Sequence, residues 1–172
     1  MYWTKTAETP FKAGFRRMLT RTFSLPNGTS DDFTIKNEGS TVCVLALTEQ
    51  NEVILAKQFR PGPEDVLLEL PGGGLKAGES AIEAAIRELL EETGYAGEIR
   101  HVTTCLDCGY SNMKRECFIA TNCKKVGEQQ LDDTEFIDVV LMSLPSFREH
   151  LRSGQLTDVE VGYLGLDKLG LL

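Results

Sequence analysis

Residues 83–92 read EAAIRELLEE, four glutamates and one arginine in ten residues of a chain whose formal net charge is already −8. Side chains three and four positions apart are neighbours on a helix, so Glu88 lies beside both Glu91 and Glu92 and the three carboxylates form one patch. Like charges at that spacing repel by roughly a few tenths of a kcal/mol per pair in an isolated helix. Arg87, one turn before Glu91, relieves only part of this. Two readings of such a patch stand. It is a solvated acidic face, or it is a site for a hard divalent cation, Mg²⁺ or Mn²⁺, whose preference for oxygen ligands turns repulsion into binding. The residues just upstream favour the second. ELPGGGLKAGE (69–79) sets three glycines between a strand and the helix, where the backbone can turn sharply, approach a ligand and offer it a carbonyl.

No other constellation competes with this one. There is no serine-nucleophile pattern, and neither histidine, His101 or His150, has an evident partner in the sequence. A divalent metal held by such carboxylates lowers the pKa of a bound water and so makes that water a nucleophile. The five cysteines are an odd number without a secretory signal and read as reduced thiols. Cys105 and Cys108 have zinc-ligand spacing, which Cys117 and Cys123 could complete, but Cys105 and Cys117 sit in alternating apolar segments, where a thiol behaves as a small hydrophobe.

The elements that must position the carboxylates can be read from turn and cap residues. Ser80-Ala-Ile-Glu83 matches a capping box, Gly94 is a C-terminal glycine cap, and the residues between are mostly good helix formers. Ile82, Ala85, Ile86 and Leu89 recur at three- and four-residue spacing and predict the core-facing stripe. Upstream, residues 21–37 read as a hairpin around Pro26-Asn27-Gly28. Residues 40–60 read as a second hairpin turning at 49–51, and 65–71 as a short strand. Strands are expected in 99–110, 115–121 and 136–144, and helices in the closing SFREHLRSGQ and DVEVGYLGLDKLGLL segments. Mixed strands with a few helices predict an α+β fold, an α/β/α sandwich, rather than a doubly wound sheet.

Size and charge narrow the function. The 172 residues suffice for one domain, expected to span 1–172 with an arm or hairpin over 1–38 and a core over 39–172. No apolar run approaches the roughly 20 residues that span a bilayer, and the start lacks a signal-peptide apolar stretch, which predicts a cytoplasmic protein. The acidic balance argues against nucleic-acid binding, which needs a basic surface. A small anionic ligand fits if a cation bridges it to the protein.

The segment GGLKAGESAIEAAIRELLEETGY (73–95) resembles the Nudix box, G-x5-E-x7-R-E-U-x-E-E-x-G-U with U bulky and apolar. Gly73, Glu79, Arg87, Glu88, Leu89, Glu91, Glu92 and Gly94 all fall in place, and Tyr95 fills the last U with an aromatic. Seven fixed residues at average frequencies would match by accident on the order of once per 10⁸ starting points. The resemblance implies a Nudix fold, a mixed sheet between helices, and Mg²⁺- or Mn²⁺-dependent cleavage of a nucleoside diphosphate linked to another moiety. It implies Glu88 and Glu92 as metal ligands, Glu91 and the Gly72 carbonyl as further ligands, Arg87 as the residue orienting the glutamates, and Glu79 in a structural part.

The likeness covers most of residues 20–170. VILAKQFRP followed by LLELPGG is similar to the ADP-ribose pyrophosphatase and nucleoside-diphosphate-sugar branch, which places Arg60 on substrate phosphate. TEFIDVVLMSL resembles that branch's later loop, implying Glu135, or else Asp133, as a further metal ligand or the catalytic base. Members of the branch often complete the site with an N-terminal arm from a partner subunit, which makes Trp3, Tyr2 and Phe33 candidate platforms for the base and implies a homodimer. Two departures bear on substrate rather than chemistry: Leu70-Pro71-Gly72-Gly73 replaces the usual Leu-Pro-Ala-Gly, and Cys108 stands where ADP-ribose hydrolases carry a proline. The implied function is cleavage of ADP-ribose or a related nucleoside-diphosphate sugar to nucleoside monophosphate and sugar phosphate. The alternatives are hydrolysis of nucleoside triphosphates or dinucleoside polyphosphates, or nucleotide sensing without cleavage.

Overall fold

Turn residues shape the N-terminal segment of the protein, whose computed structural model describes residues 2–172. Strands β1 (Thr4–Ala13), β2 (Arg16–Ser24) and β3 (Ser30–Lys36) form an antiparallel meander in that order. The β2–β3 turn is the one expected at Pro26-Asn27-Gly28. Gly28 adopts φ 85° and its amide donates to the Leu25 carbonyl at 2.9 Å, while the Asn27 side chain accepts from the Thr29 amide at 3.1 Å. Strand β1 was not expected. All ten of its residues are exposed, so no burial pattern marks it in the sequence, and Pro10 is tolerated because β1 is an edge strand.

The chain divides into two compact units. One holds the residues up to Ser40 together with Cys105–Arg115; the other holds Thr41–Thr104 and Glu116–Leu172. The second is built on a seven-stranded sheet. Strands β4 (Thr41–Thr48), β5 (Glu52–Arg60), β8 (Tyr95–Leu106), β9 (Lys114–Lys125) and β10 (Asp138–Ser143) run in the order β10-β5-β4-β9-β8. β6 (Asp65–Glu69) pairs with β5, and β7 (Gly72–Gly74) pairs with β4. The far ends of β8 and β9 belong to the first unit.

Three helices follow the same physical logic of one apolar face each: α1 (Ala81–Thr93), α2 (Leu144–Ser153) and α3 (Val159–Leu169). β4 is buried along nearly its whole length because both its faces are covered. Val42, Val44 and Ala46 share a core cluster with Ala84, Ala85 and Leu89 of α1 and with Phe118 and Ala120 of β9. The alternate residues face α3, where a Cβ on Gly165 would come within 2.6 Å of Leu45 Cδ2 and 3.2 Å of Ile119 Cγ2. Glycine is what lets α3 lie this close. A sheet between helices is the expected α+β sandwich.

One expectation about α1 is corrected. Ile82 and Ile86 are 45% and 48% exposed, and the buried face is Ala84, Ala85, Glu88, Leu89, Glu92 and Thr93. Both stripes contain Ala85 and Leu89, so periodicity alone permits either. The alanines decide, because small side chains let the helix press onto β4, and that rotation carries Glu88 and Glu92 inward.

Candidate active site

Every carboxylate of the EAAIRELLEE run is placed by the ends of α1. The helix starts at Ser80, whose hydroxyl accepts from the Glu83 amide while the Glu83 carboxylate accepts from the Ser80 amide, a complete capping box. It stops at Gly94 in the left-handed region, φ 73°, where a Cβ would also lie 2.3 Å from the Gly127 carbonyl. The chain leaving β9 crosses that end of the helix and satisfies its open carbonyls. The Gln130 amide donates to the Glu91 carbonyl at 2.8 Å, and Gln129 Nε2 donates to the carbonyls of Glu92 at 2.6 Å and Ile137 at 2.9 Å. This segment brings Glu135 to the glutamates. Glu135 itself sits in a tight turn, its amide donating to the Asp132 carbonyl and its carboxylate accepting from the Asp132 amide.

Arg87 organises the outer carboxylates. It donates through Nε to Glu79 Oε1 at 2.7 Å, through Nη1 to Glu88 Oε1 and Glu91 Oε2 at 2.8 and 2.9 Å, and through Nη2 to Glu79 Oε2 and the Gly74 carbonyl. The guanidinium and the Lys76 amide hold the Glu79 carboxyl down at about 2. Lys76 Nζ lies 3.4 Å from Glu91 Oε1.

The inner pair is charged differently. Burial pushes Glu88 above its ordinary range despite Arg87, with the charges of Glu91 and Glu135 adding to the rise. Burial pushes Glu92 further, to about 8. The Gly72 amide, which donates to Glu92 Oε2 at 2.9 Å, and the more distant charge of Arg60 pull it down, while Glu88 and Glu135 push it up. Glu88 also lies against the glycine loop, where a Cβ on Gly73 would fall 2.4 Å from Glu88 Oε1.

The second unit thus brings Arg60, Gly72, Arg87, Glu88, Glu91, Glu92 and Glu135 into one electrostatic neighbourhood. Asp133 is exposed and, among the described residues, makes no hydrogen bond or ion pair. Trp3 and Phe33 stand in the first unit, in a ring cluster with Phe23 and Tyr110: Trp3–Phe33 centroids are 5.3 Å apart, and Phe33–Tyr110 stack at 6.4 Å and 24°. Each histidine has a partner that the sequence did not disclose. His101 Nε2 meets Glu116 Oε2 at 3.0 Å, and His150 Nε2 meets the Leu68 carbonyl at 2.8 Å.

Among the described residues no three acidic, thiol or imidazole side chains converge as a metal cage; Glu88 and Glu91 both accept from Arg87. The donor set nonetheless fits a hard cation. Glu88 and Glu92 are buried carboxylates with a net excess of negative charge around them, a condition that oxygen-seeking Mg²⁺ or Mn²⁺ relieves. Two residues that matter here were missed in the sequence. Gln129 lies in a segment without periodicity, and only its contacts identify it. Glu69, 1% exposed, bonds Arg60, and its one sequence signal was an acidic residue amid the apolar LLELP.

Several known proteins are similar to this chain over much of its length. Residues 37–158 match the NUDIX domain. An ADP-ribose pyrophosphatase of Bacillus subtilis is 32% identical over 142 residues, 81% of this chain and 77% of that protein. A methanol dehydrogenase activator of Bacillus methanolicus is 29% identical over 84% of this chain and 82% of its own. The mouse ADP-sugar pyrophosphatase is 41% identical over 114 residues, 62% of this chain and 51% of that one. A crystal structure of an ADP compounds hydrolase superposes over 100% of this chain and 98% of its own with a TM-score of 0.80 at 17% identity, a likeness of fold. The chain belongs to the Nudix hydrolase family, within the branch that holds the ADP-ribose and ADP-sugar pyrophosphatases.

Proposed function

We propose that the protein hydrolyses the diphosphate bond of ADP-ribose or a related nucleoside-diphosphate sugar, with a divalent metal, to nucleoside monophosphate and sugar phosphate. The observation that carries this reading is the pair of buried carboxylates, Glu88 and Glu92, with too little cationic charge around them. Relatives named for ADP-ribose and ADP-sugars support the substrate class. Glu88 and Glu92 would hold Mg²⁺ or Mn²⁺, with Glu91 and the Gly72 carbonyl as further oxygen donors. Bound there, the ion neutralises diphosphate charge and acidifies water.

The chain's own residues do the rest. Arg60 binds a phosphate oxygen, and Arg87 keeps Glu88 and Glu91 in register between turnovers. Glu135, in the field of both inner carboxylates, accepts the proton of the attacking water, with Asp133 the second candidate. Trp3 and Phe33 are the proposed stacking platform for the nucleobase, and the arm that carries them is the proposed homodimer contact. No helix among the described residues is long and apolar enough to cross a membrane; the proposed compartment is the cytoplasm.

The test is a hydrolysis screen of the purified protein with and without Mg²⁺, covering ADP-ribose, nucleotide sugars, nucleoside triphosphates and dinucleoside polyphosphates, with products identified by mass. Nucleoside monophosphate plus sugar phosphate supports the reading. Exclusive release of pyrophosphate or phosphate from triphosphates overturns its substrate class.

A further inference from the structure

Glu69 is the most deeply buried carboxylate among the described residues. It stands on β6 opposite Ala56 of β5, with Leu67 and Leu70, both buried, close by in sequence. An apolar side chain would fill that place without the cost of burying a charge. An ion pair with one buried and one half-exposed member is poor evidence for stability; what its geometry does here is hold one group in position.

The group held here is Arg60. Glu69 Oε2 accepts from Arg60 Nε at 2.5 Å, and Glu69 Oε1 accepts from the Thr157 hydroxyl at 2.5 Å. Among the described residues the two terminal amino groups of Arg60 have no hydrogen-bond partner, and its side chain is 43% exposed. A guanidinium fixed at Nε still offers its remaining donors as a rigid fork suited to phosphate. Thr157 lies between α2 and α3, and His150 of α2 bonds the Leu68 carbonyl next to Glu69. Helix α2 and the loop that follows it therefore grip β6 at two adjacent residues.

We propose that Glu69 is a positioning residue for phosphate recognition: it fixes the Arg60 guanidinium by one nitrogen, and Thr157 fixes Glu69, so the C-terminal segment sets the geometry of the phosphate contact. This rests on the reading of Arg60 given above.

The test combines kinetics on ADP-ribose with Mg²⁺ and an NMR measurement of the Arg60 Nε–H group. Glu69→Gln raises KM about tenfold with kcat little changed, the loss of a charge-assisted hydrogen bond, and Thr157→Val moves KM the same way by less. In an Arg60→Ala background Glu69→Gln adds nothing further. The Arg60 Nε proton, protected from exchange in the parent protein, exchanges freely in Glu69→Gln. An equal KM effect with and without Arg60 overturns the proposal, as does an unchanged Nε signal. If the parent protein does not turn over ADP-ribose, the substrate reading fails, and the Nε signal still decides whether Glu69 anchors Arg60. Thr157→Val, on the surface, supplies the same readouts if Glu69→Gln does not fold.

Discussion

The amide of Gly72 donates to Glu92 Oε2 at 2.9 Å across a separation of 20 residues. It is the single protein hydrogen bond to that buried carboxylate among the described residues, and it ties the glycine loop to the last turn of α1. One neutral donor is little compensation for a carboxylate 4% exposed. The site is therefore under electrostatic tension.

Glu92→Gln keeps an oxygen for the Gly72 amide and removes the charge. Turnover of the best substrate in the hydrolysis screen falls at least about a hundredfold, as expected for loss of a group that places charge at the reacting phosphates. The metal-free variant melts no lower than the parent at pH 8. Near-normal turnover would remove Glu92 from the catalytic centre.

Stability of the metal-free protein depends on pH with a definite sign. The Glu92 carboxyl is held at about 8 against an ordinary 4.5, so the native state keeps its proton where the unfolded state has lost it. Its contribution is fully present below pH 4.5 and is lost as pH rises through 8, with a slope of at most about 1.4 kcal/mol per pH unit. Denaturant melts at pH 5, 6.5 and 8 should show this decline, and excess Mg²⁺ should raise the midpoint most at pH 8. A midpoint that rises steadily over that range contradicts the assignment.

Gly73→Ala puts a methyl group 2.4 Å from Glu88 Oε1, which must move. The clash is with the end of a flexible side chain, so the melting temperature changes little while kcat falls by about tenfold or more from a misplaced group. Paired thermal melts and steady-state kinetics check this. A variant with full activity would show that the Glu88 position is not critical.

Gln129→Ala leaves the Glu92 and Ile137 carbonyls without their shared donor. The expected loss is about 1–3 kcal/mol in stability. The segment carrying Glu135 also loosens, so kcat falls more than KM changes. Equal activity at a reduced melting temperature would confine Gln129 to a structural part.

Much of the fold is legible because local signals and tertiary packing agree. The Ser80–Glu83 capping box, Gly94 and the Asn27-Gly28 turn sit where residue chemistry places them. Strand β1 escapes because an exposed strand has no buried face to leave a pattern. The α1 stripe misleads because Ala85 and Leu89 serve either rotation of the helix, and only the close approach of alanines to β4 excludes the isoleucine face.

The site divides along the same line. The sequence by itself determined the Nudix box, and with it three neighbouring carboxylates, an arginine one turn away and a glycine loop before them, because all of these are short-range consequences of helix geometry. Tertiary structure alone decided that Glu88 and Glu92 turn inward while Glu91 stays near the surface, that Gln129 lashes the Glu135 segment across the helix end, and that Glu69 and Thr157 anchor Arg60. Those relations join residues far apart in the chain. Burial, which sets the proton affinity of a carboxylate, exists only once the sheet and its helices have closed around it.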